Sequence, residues 1–301
     1  MANQASRTAL LAVDASGHAQ NAAEYLARNA RVLGIGEIII LNVHPVTSYR
    51  GYITSANEAE PDVGESCRQA TNAARWALDR AQIACRMVTR SGEPAGTIAD
   101  VAAEHEVDEI VMGSRGMSEL AKWALGSVAS KVIQRAGVPV TVIAAGSGEA
   151  KPAASSADVH RVLLAVDGSG NADRATDYLC TLGRSGLDLE VELLHVAKPI
   201  PAVCFESRAK ADAYYREQCE AAVRDAKDAL GCAGASLNVH IEAGDAADKI
   251  VQVAARRNCS QIVMGTRGLG GVAGLILGSV ASKVLALAPM AVTLLRRWRL
   301  L

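Results

Sequence analysis

The chain has 301 residues, half of them hydrophobic, and a formal net charge of -1. That length allows two average domains with a sizeable core, and one Phe, three Trp and six Tyr make the core largely aliphatic. The charge balance gives no general attraction to nucleic acid or to an anionic membrane. Seven scattered Cys with no C-x-x-C pair argue for a reducing compartment and against a disulfide framework or a zinc site.

The opening stretch MANQASRTALLAVDASG has no signal-peptide layout. Its apolar run, Ala9 to Val13, is strand-sized and stops at an Asp. No run approaches the roughly 20 apolar residues of a spanning helix. These features predict a cytoplasmic protein.

Strand and helix signals alternate from there. Thr8 to Val13 reads as a strand covered on both faces. Ala19 to Leu33 reads as a helix, Glu37 to Val43 as a strand with three consecutive Ile, and His44 to about Glu60 as a loop. A helix from about Val63 to Gln82, a strand from Ala84 to Thr89 and a helix from Ala95 to His105 follow. Glu109 to Met112 is the fourth strand; a glycine loop, a helix to about Arg135 and a strand from Val138 to Ala144 complete the unit. This order predicts an α/β unit, a doubly wound parallel sheet with helices on both faces.

The unit occurs twice. LLAVDASGHA from Leu10 returns as LLAVDGSGNA from Leu163, and IIILNVHP from Ile38 matches VELLHVAKP from Val191. The offset is 153 residues at Asp14 and Asp167 and 152 at Gly113 and Gly265. Over Met112–Val132 against Met264–Val284, 13 of 21 positions are identical. Residues 1–145 and 160–301 are therefore two tandem domains, joined at 146–159 by a linker rich in Ala, Ser, Gly and Pro.

Ligands of such sheets bind outside the carboxyl ends of the strands, at a topological switch point. Asp14, Val43 and Gly113 end three strands there. The glycine spacing is G-x-x-G, nine residues, then G-S, filled by Gly113, Gly116, Gly126 and Ser127 and again by Gly265, Gly268, Gly278 and Ser279. Glycines let a ligand approach the backbone. The free N–H groups of the helix that starts at Gly126-Ser127 form an anion site. One G-x-x-G is a weak signal, since glycines also serve turns and caps. Its recurrence after a strand and before a helix favours a nucleotide site. Neither GxxxxGK[ST] nor GxGxxG is present.

These residues resemble the universal stress proteins of the tandem type. The carriers are LLAVDASG and LLAVDGSG, LNV and LHV, GEPAGTIADVA and GDAADKIVQVA, and the two glycine loops. The resemblance implies a sheet order 3-2-1-4-5 in each domain and the ATP-binding subclass. It places Asp14 and Asp167 near adenine and ribose, Val43 and Val196 at the adenine edge, and Gly113 and Gly265 near the ribose. Gly116, Gly126, Ser127 and Val128 would hold the phosphates, as would Gly268, Gly278, Ser279 and Val280. Mg²⁺ would come with the phosphates. The last strands would pair, giving an internal pseudo-dimer, and two chains would associate as a homodimer. The sequence departs from the family at the turn before the last strand, where AGVPV and APMAV each keep one of two prolines. The spacers MSELAKWAL, with Glu119, Lys122 and Trp123, and LGGVAGLIL also differ, so unequal sites are expected.

Asp14 and Asp167 also suit turn carboxylates that cap the next helix. Arg115 and Arg267 fit either a phosphate partner or a solvated or inter-subunit arginine. Lys131 and Lys283 read as exposed helix positions. His44 aligns with Ala197 and His195 with Asn42, so the histidines do not read as metal ligands. LLRRWRLL, around Trp298, reads as a frayed terminus rather than a partner-binding tail. No nucleophile–base pair is evident. The leading expectation is an ATP-binding stress-response regulator with at most slow hydrolysis or autophosphorylation, acting on an unidentified protein partner. The alternatives are an interaction module without nucleotide and a nucleotide-using transferase.

Overall fold

The computed structural model describes residues 6–44, 65–115, 125–144, 159–197, 207–268 and 277–296. The expected loop after His44, nearly all of the linker, Gly116, the spacer residues Glu119, Lys122 and Trp123, and the terminus around Trp298 lie outside them.

The first half runs β1 (Arg7–Val13), α1 (Gly17–Asn29), β2 (Ile35–His44), α2 (Glu65–Arg80), β3 (Ala84–Ser91), α3 (Pro94–Glu104), β4 (Glu109–Gly113), α4 (Ser127–Arg135) and β5 (Val140–Ile143). The second runs β6 (His160–Val166), α5 (Gly170–Arg184), β7 (Leu189–Ala197), α6 (Arg208–Cys232), β8 (Ser236–Ala243), α7 (Ala246–Arg256), β9 (Gln261–Gly265), α8 (Ser279–Leu287) and β10 (Ala291–Leu295). Every expected element of the first half is present. α1 starts two residues before the expected Ala19 because Ser16 caps it, its hydroxyl accepting the Ala19 N–H. It ends before the expected Leu33: the chain turns through Gly34 at φ +66° and re-enters the sheet at Ile35.

The strands form one ten-stranded sheet in the order β3-β2-β1-β4-β5-β10-β9-β6-β7-β8. Each half has the order 3-2-1-4-5 with all pairs parallel. The halves meet where β5 and β10 pair antiparallel, Thr141 opposite Thr293. These two residues are repeat equivalents, so a pseudo-twofold axis passes between them.

Side chains alternate across the sheet. On one face Leu10, Ile39, Leu41, Ile110 and Val142 pack under α3 and α4, and Leu163, Leu194, Ile262 and Leu294 pack under α7 and α8. The two sets fuse into one apolar core across the β5–β10 seam. The opposite face has two separate cores, under α1 and α2 and under α5 and α6. Between these cores the seam is polar and buried. Arg7 Nη2 lies 3.2 Å from Glu109 Oε2, Tyr178 of the second half donates its hydroxyl to the same oxygen at 2.7 Å, and the guanidinium sits 5.5 Å from the Tyr178 ring centre. Burial acts to lower the Arg7 pKa, but Glu109, Tyr178 and Asp108 together outweigh it and the guanidinium stays charged.

The equivalent pair of the second half is neutral. His160 Nε2 lies 2.7 Å from Gln261 Oε1, whose amide nitrogen donates to Thr293. Because the Gln261 oxygen only accepts, Nε2 carries the proton. Burial lowers the imidazole pKa, with Gln261 opposing, which favours that neutral tautomer.

The second half differs again on β7. Glu192, 1% exposed, stands where Ile39 stands in the first half. It accepts from His240 Nε2, from Arg257 Nε at 3.0 Å and from Asn238 Nδ2 at 3.2 Å.

Candidate functional site

The carboxyl ends of β1, β2 and β4 form the switch point of the first half, and those of β6, β7 and β9 that of the second. Asp14, Val43, Gly113 and Arg115 thus come together, as do Asp167, Val196, Gly265 and Arg267, although each set spans about 100 residues of chain.

Asp14 does not cap α1 directly. Its Oδ1 accepts the Ser16 N–H at 3.0 Å and the Ser16 hydroxyl, and Ser16 is the cap. Asp167 takes the Ser169 N–H at 3.1 Å, and Ser169 caps α5. The carboxylates therefore brace the strand-to-helix turn from one step back, a short Asx turn. The serine hydroxyls also reach the Arg115 and Arg267 carbonyls, each at 3.4 Å, tying this turn to the glycine loop.

One strand over, Asn42 Nδ2 donates to the Val13 carbonyl at 2.9 Å, and His195 Nδ1 lies 2.9 Å from the Val166 carbonyl. A carbonyl only accepts, so Nδ1–H is the His195 donor. The two aligned residues hold the same point, just before each Asp, and His195 has a structural task. Among the described residues no group of three or more His, Cys, Asp or Glu converges to hold a metal ion.

Gly113 and Gly265 have a packing reason of their own. A Cβ at Gly113 would stand 2.6 Å from His18 Cβ and 2.8 Å from its carbonyl carbon; one at Gly265 would meet Asn171 at 2.6 and 2.9 Å. Their missing side chains admit the first turns of α1 and α5. Gly268 is different: a Cβ there would stand 2.1 Å from Asp167 Oδ2. It lets the loop close over that carboxylate.

The loops are anchored alike at each end. Ser114 N–H reaches the Ile143 carbonyl at 2.8 Å, and Gly126 N–H returns to the Ser114 carbonyl at 2.8 Å; the counterparts are Thr266 to Leu295 at 2.8 Å and Gly278 to Thr266 at 2.9 Å. The helix that follows starts open. Gly126 (φ -60°, ψ 150°) and Gly278 (φ -69°, ψ 154°) stand at the N-caps of α4 and α8, where no side chain supplies a cap. α1, α3, α5, α6 and α7 each have a capping side chain, from Ser16, Glu93, Ser169, Ser207 and Asp245. The first helical bonds of α4 and α8 run from Ser130 and Ser282. The N–H groups of Ser127, Val128 and Ala129, and of Ser279, Val280 and Ala281, thus precede the helical ladder and carry the positive end of the dipole. Behind them Val132 and Ile133 anchor α4 in the core.

Lys131 and Lys283 are half-exposed and held by carboxylates. Lys131 pairs with Glu93 at 3.4 Å, and Lys283 pairs with Asp245 at 3.0 Å and Asp248 at 2.9 Å. Glu93 accepts the Gly96 N–H at 2.8 Å and faces Arg135 at 2.5 Å. The Gly96 N–H, with Arg135 and Lys131, holds its carboxyl down to about 2. One carboxylate thus caps α3 and ties it to α4. The sequence reading missed this tie, and also Ser16 and Ser169, although Ser before an apolar-periodic run is an ordinary cap signal.

Two doubly wound α/β domains, each with an open helix start at the switch point of its sheet, define a tandem protein with two candidate anion sites. The Universal stress protein family model matches residues 6–144 and again 158–296, and the chain belongs to that family. A universal stress protein of Mycobacterium tuberculosis is 28% identical over 215 residues, covering 68% of this chain and 66% of that protein. The solved structure of a universal stress protein from Archaeoglobus fulgidus covers 98% of this chain and 97% of its own, at 26% identity and a TM-score of 0.66. A universal stress protein solved in complex with cAMP covers 45% of this chain and 96% of its own, at 26% identity and a TM-score of 0.36. No helix among the described residues is long and apolar enough to cross a membrane.

Proposed function

We propose that each half binds an adenine nucleotide, ATP above all, and that occupancy biases the protein's conformation or a partner-binding surface in a cytoplasmic stress response. The observation that carries this reading is the contrast in capping. Five helices close their N-termini with a side chain, while α4 and α8, at the two switch points, leave theirs to a glycine. Three backbone donors and a helix dipole suit a phosphate group.

In this reading Gly116, Gly126, Ser127 and Val128 hold the phosphates of one nucleotide, and Gly268, Gly278, Ser279 and Val280 those of the other. Arg115 and Arg267 flank them. Asp14, Val43 and Gly113, with Asp167, Val196 and Gly265, border the nucleoside. Mg²⁺ would neutralise charge through the phosphate oxygens. Calorimetry with Mg–ATP, and nucleotide released on denaturing the purified protein, test the reading; no binding of ATP or ADP at millimolar concentration in either half overturns it.

The packing of Gly113 on His18 and of Gly265 on Asn171 favours a second reading, an interaction module whose glycines serve the fold alone. Gly126→Val with Gly278→Val separates the two. If partner binding survives in a folded variant that has lost nucleotide, the nucleotide is dispensable.

A further inference from the structure

The second half carries two cysteines, Cys180 and Cys232, where the repeat places Ala27 and Arg80 in the first. They lie on neighbouring helices. On α5, Thr176, Cys180 and Gly183 share a stripe at i, i+4 and i+7. Tyr178, on the other flank, faces the seam and Glu109, so this stripe faces α6. On α6, Ala222, Ala226 and Ala229, with Ala233 at its C-cap, form a stripe of small residues. The two backbones touch at its end: a Cβ at Gly183 would stand 2.7 Å from the Ala233 carbonyl oxygen. Cys232 adjoins Ala233 in the chain, and Cys180 lies one turn before Gly183. Such close helix contact brings flanking Cα atoms toward the 4.4–6.8 Å that a disulfide spans. The two are free thiols, Cys180 buried and Cys232 exposed.

We propose that Cys180 and Cys232 are a redox pair that a peroxide converts into a reversible intrachain disulfide across the α5–α6 groove. Cys232, the exposed residue of the two, meets the oxidant. Its thiolate attacks one peroxide oxygen, the O–O bond breaks, and a sulfenic acid and water form. The Cys180 sulfur then attacks the Cys232 sulfur, the S–S bond forms as the S–O bond breaks, and a second water leaves with the thiol proton. Two thiols lose two electrons and hydrogen peroxide gains them. Burial pushes the Cys180 thiol up, opposed by Arg184 and reinforced by Asp177 and Cys232. That keeps Cys180 a resolving rather than a sensing thiol.

The test uses the reduced full chain, treated with hydrogen peroxide and mapped by mass spectrometry of its peptides. The expected product is a Cys180–Cys232 peptide pair two hydrogens lighter than the free peptides, with two of the seven thiols lost and recovered with dithiothreitol. Cys180→Ala, which copies the first half, and Cys232→Ser each abolish the link; in Cys180→Ala, dimedone traps the sulfenic acid on Cys232. A wild-type chain in which Cys232 stays a trappable sulfenic acid overturns the proposal. So does a chain that links to a second chain through Cys232, or one whose seven thiols survive peroxide unchanged.

Discussion

Thr141 and Thr293 stand face to face at the centre of the ten-stranded sheet, their hydroxyl oxygens 2.7 Å apart and fully buried. They are the same residue of the repeat, yet their surroundings differ, because Gln261 donates to Thr293. Thr293→Val leaves both the Gln261 amide and the Thr141 hydroxyl buried without that partner. Thr141→Val leaves Thr293 with Gln261. Urea unfolding should show the first variant losing about 1–3 kcal/mol, and the second about 1 kcal/mol. Equal losses would mean that Gln261 contributes nothing to the seam.

Arg7 and Glu109 make the seam charged where His160 and Gln261 make it neutral. Glu109→Gln strands a buried guanidinium and should cost about 3–5 kcal/mol. Adding Arg7→His copies the pair of the second half and should recover most of that loss. Failure of the double variant to recover would show that the surroundings of the two pairs, and not the pairs alone, have diverged.

Glu192 sets an acid limit. Burial raises its pKa, but His240 and Arg257 outweigh that and the carboxyl lies below its usual value. A carboxyl lowered by folding stabilises the fold above the unfolded value of about 4.3. That stability is lost as pH falls through it toward the folded value. Unfolding midpoints measured from roughly pH 6 down to pH 3 should fall, and Glu192→Gln should flatten the slope. An unchanged slope would place the acid sensitivity elsewhere.

Gly126 and Gly278 can be given the cap they lack. Gly126→Asp and Gly278→Asp place a carboxylate on the first-turn N–H groups and should stabilise the empty protein by up to about 1 kcal/mol. The same carboxylates repel phosphate. Affinity for Mg–ATP should fall at least about tenfold, or 1.4 kcal/mol, in the half that carries the change. Unaltered affinity would move the phosphates away from α4 and α8.

Much of this was legible in the sequence, for a physical reason. Buried parallel strands such as Ile38–Leu41 are continuous apolar runs, and the repeat let each half check the other. The convergence of Asp14, Val43 and Gly113 followed from strand ends alone. The alignment of Asn42 with His195 was visible too, but not that two unlike side chains hold equivalent carbonyls. The seam was not legible. Arg7, Glu109 and Tyr178 lie 69 or more residues apart, and nothing local in RTALL or DEIVM marks a charge destined for burial. The reason for Gly113 was hidden as well, since His18 becomes its neighbour only when α1 folds back over β4.

The β5–β10 pairing also has a consequence for synthesis. The ribosome completes Ile143 about 150 residues before it completes Leu295. Through that interval, roughly 8–30 s at 5–20 residues per second, the nascent first half carries an unpaired β5 edge. An open edge of this kind recruits strands from other chains. Neighbouring nascent chains on one message, each offering the same edge, are therefore the first competitors of β10. Slow translation of the second half should favour swapped assemblies over the intrachain β5–β10 pairing.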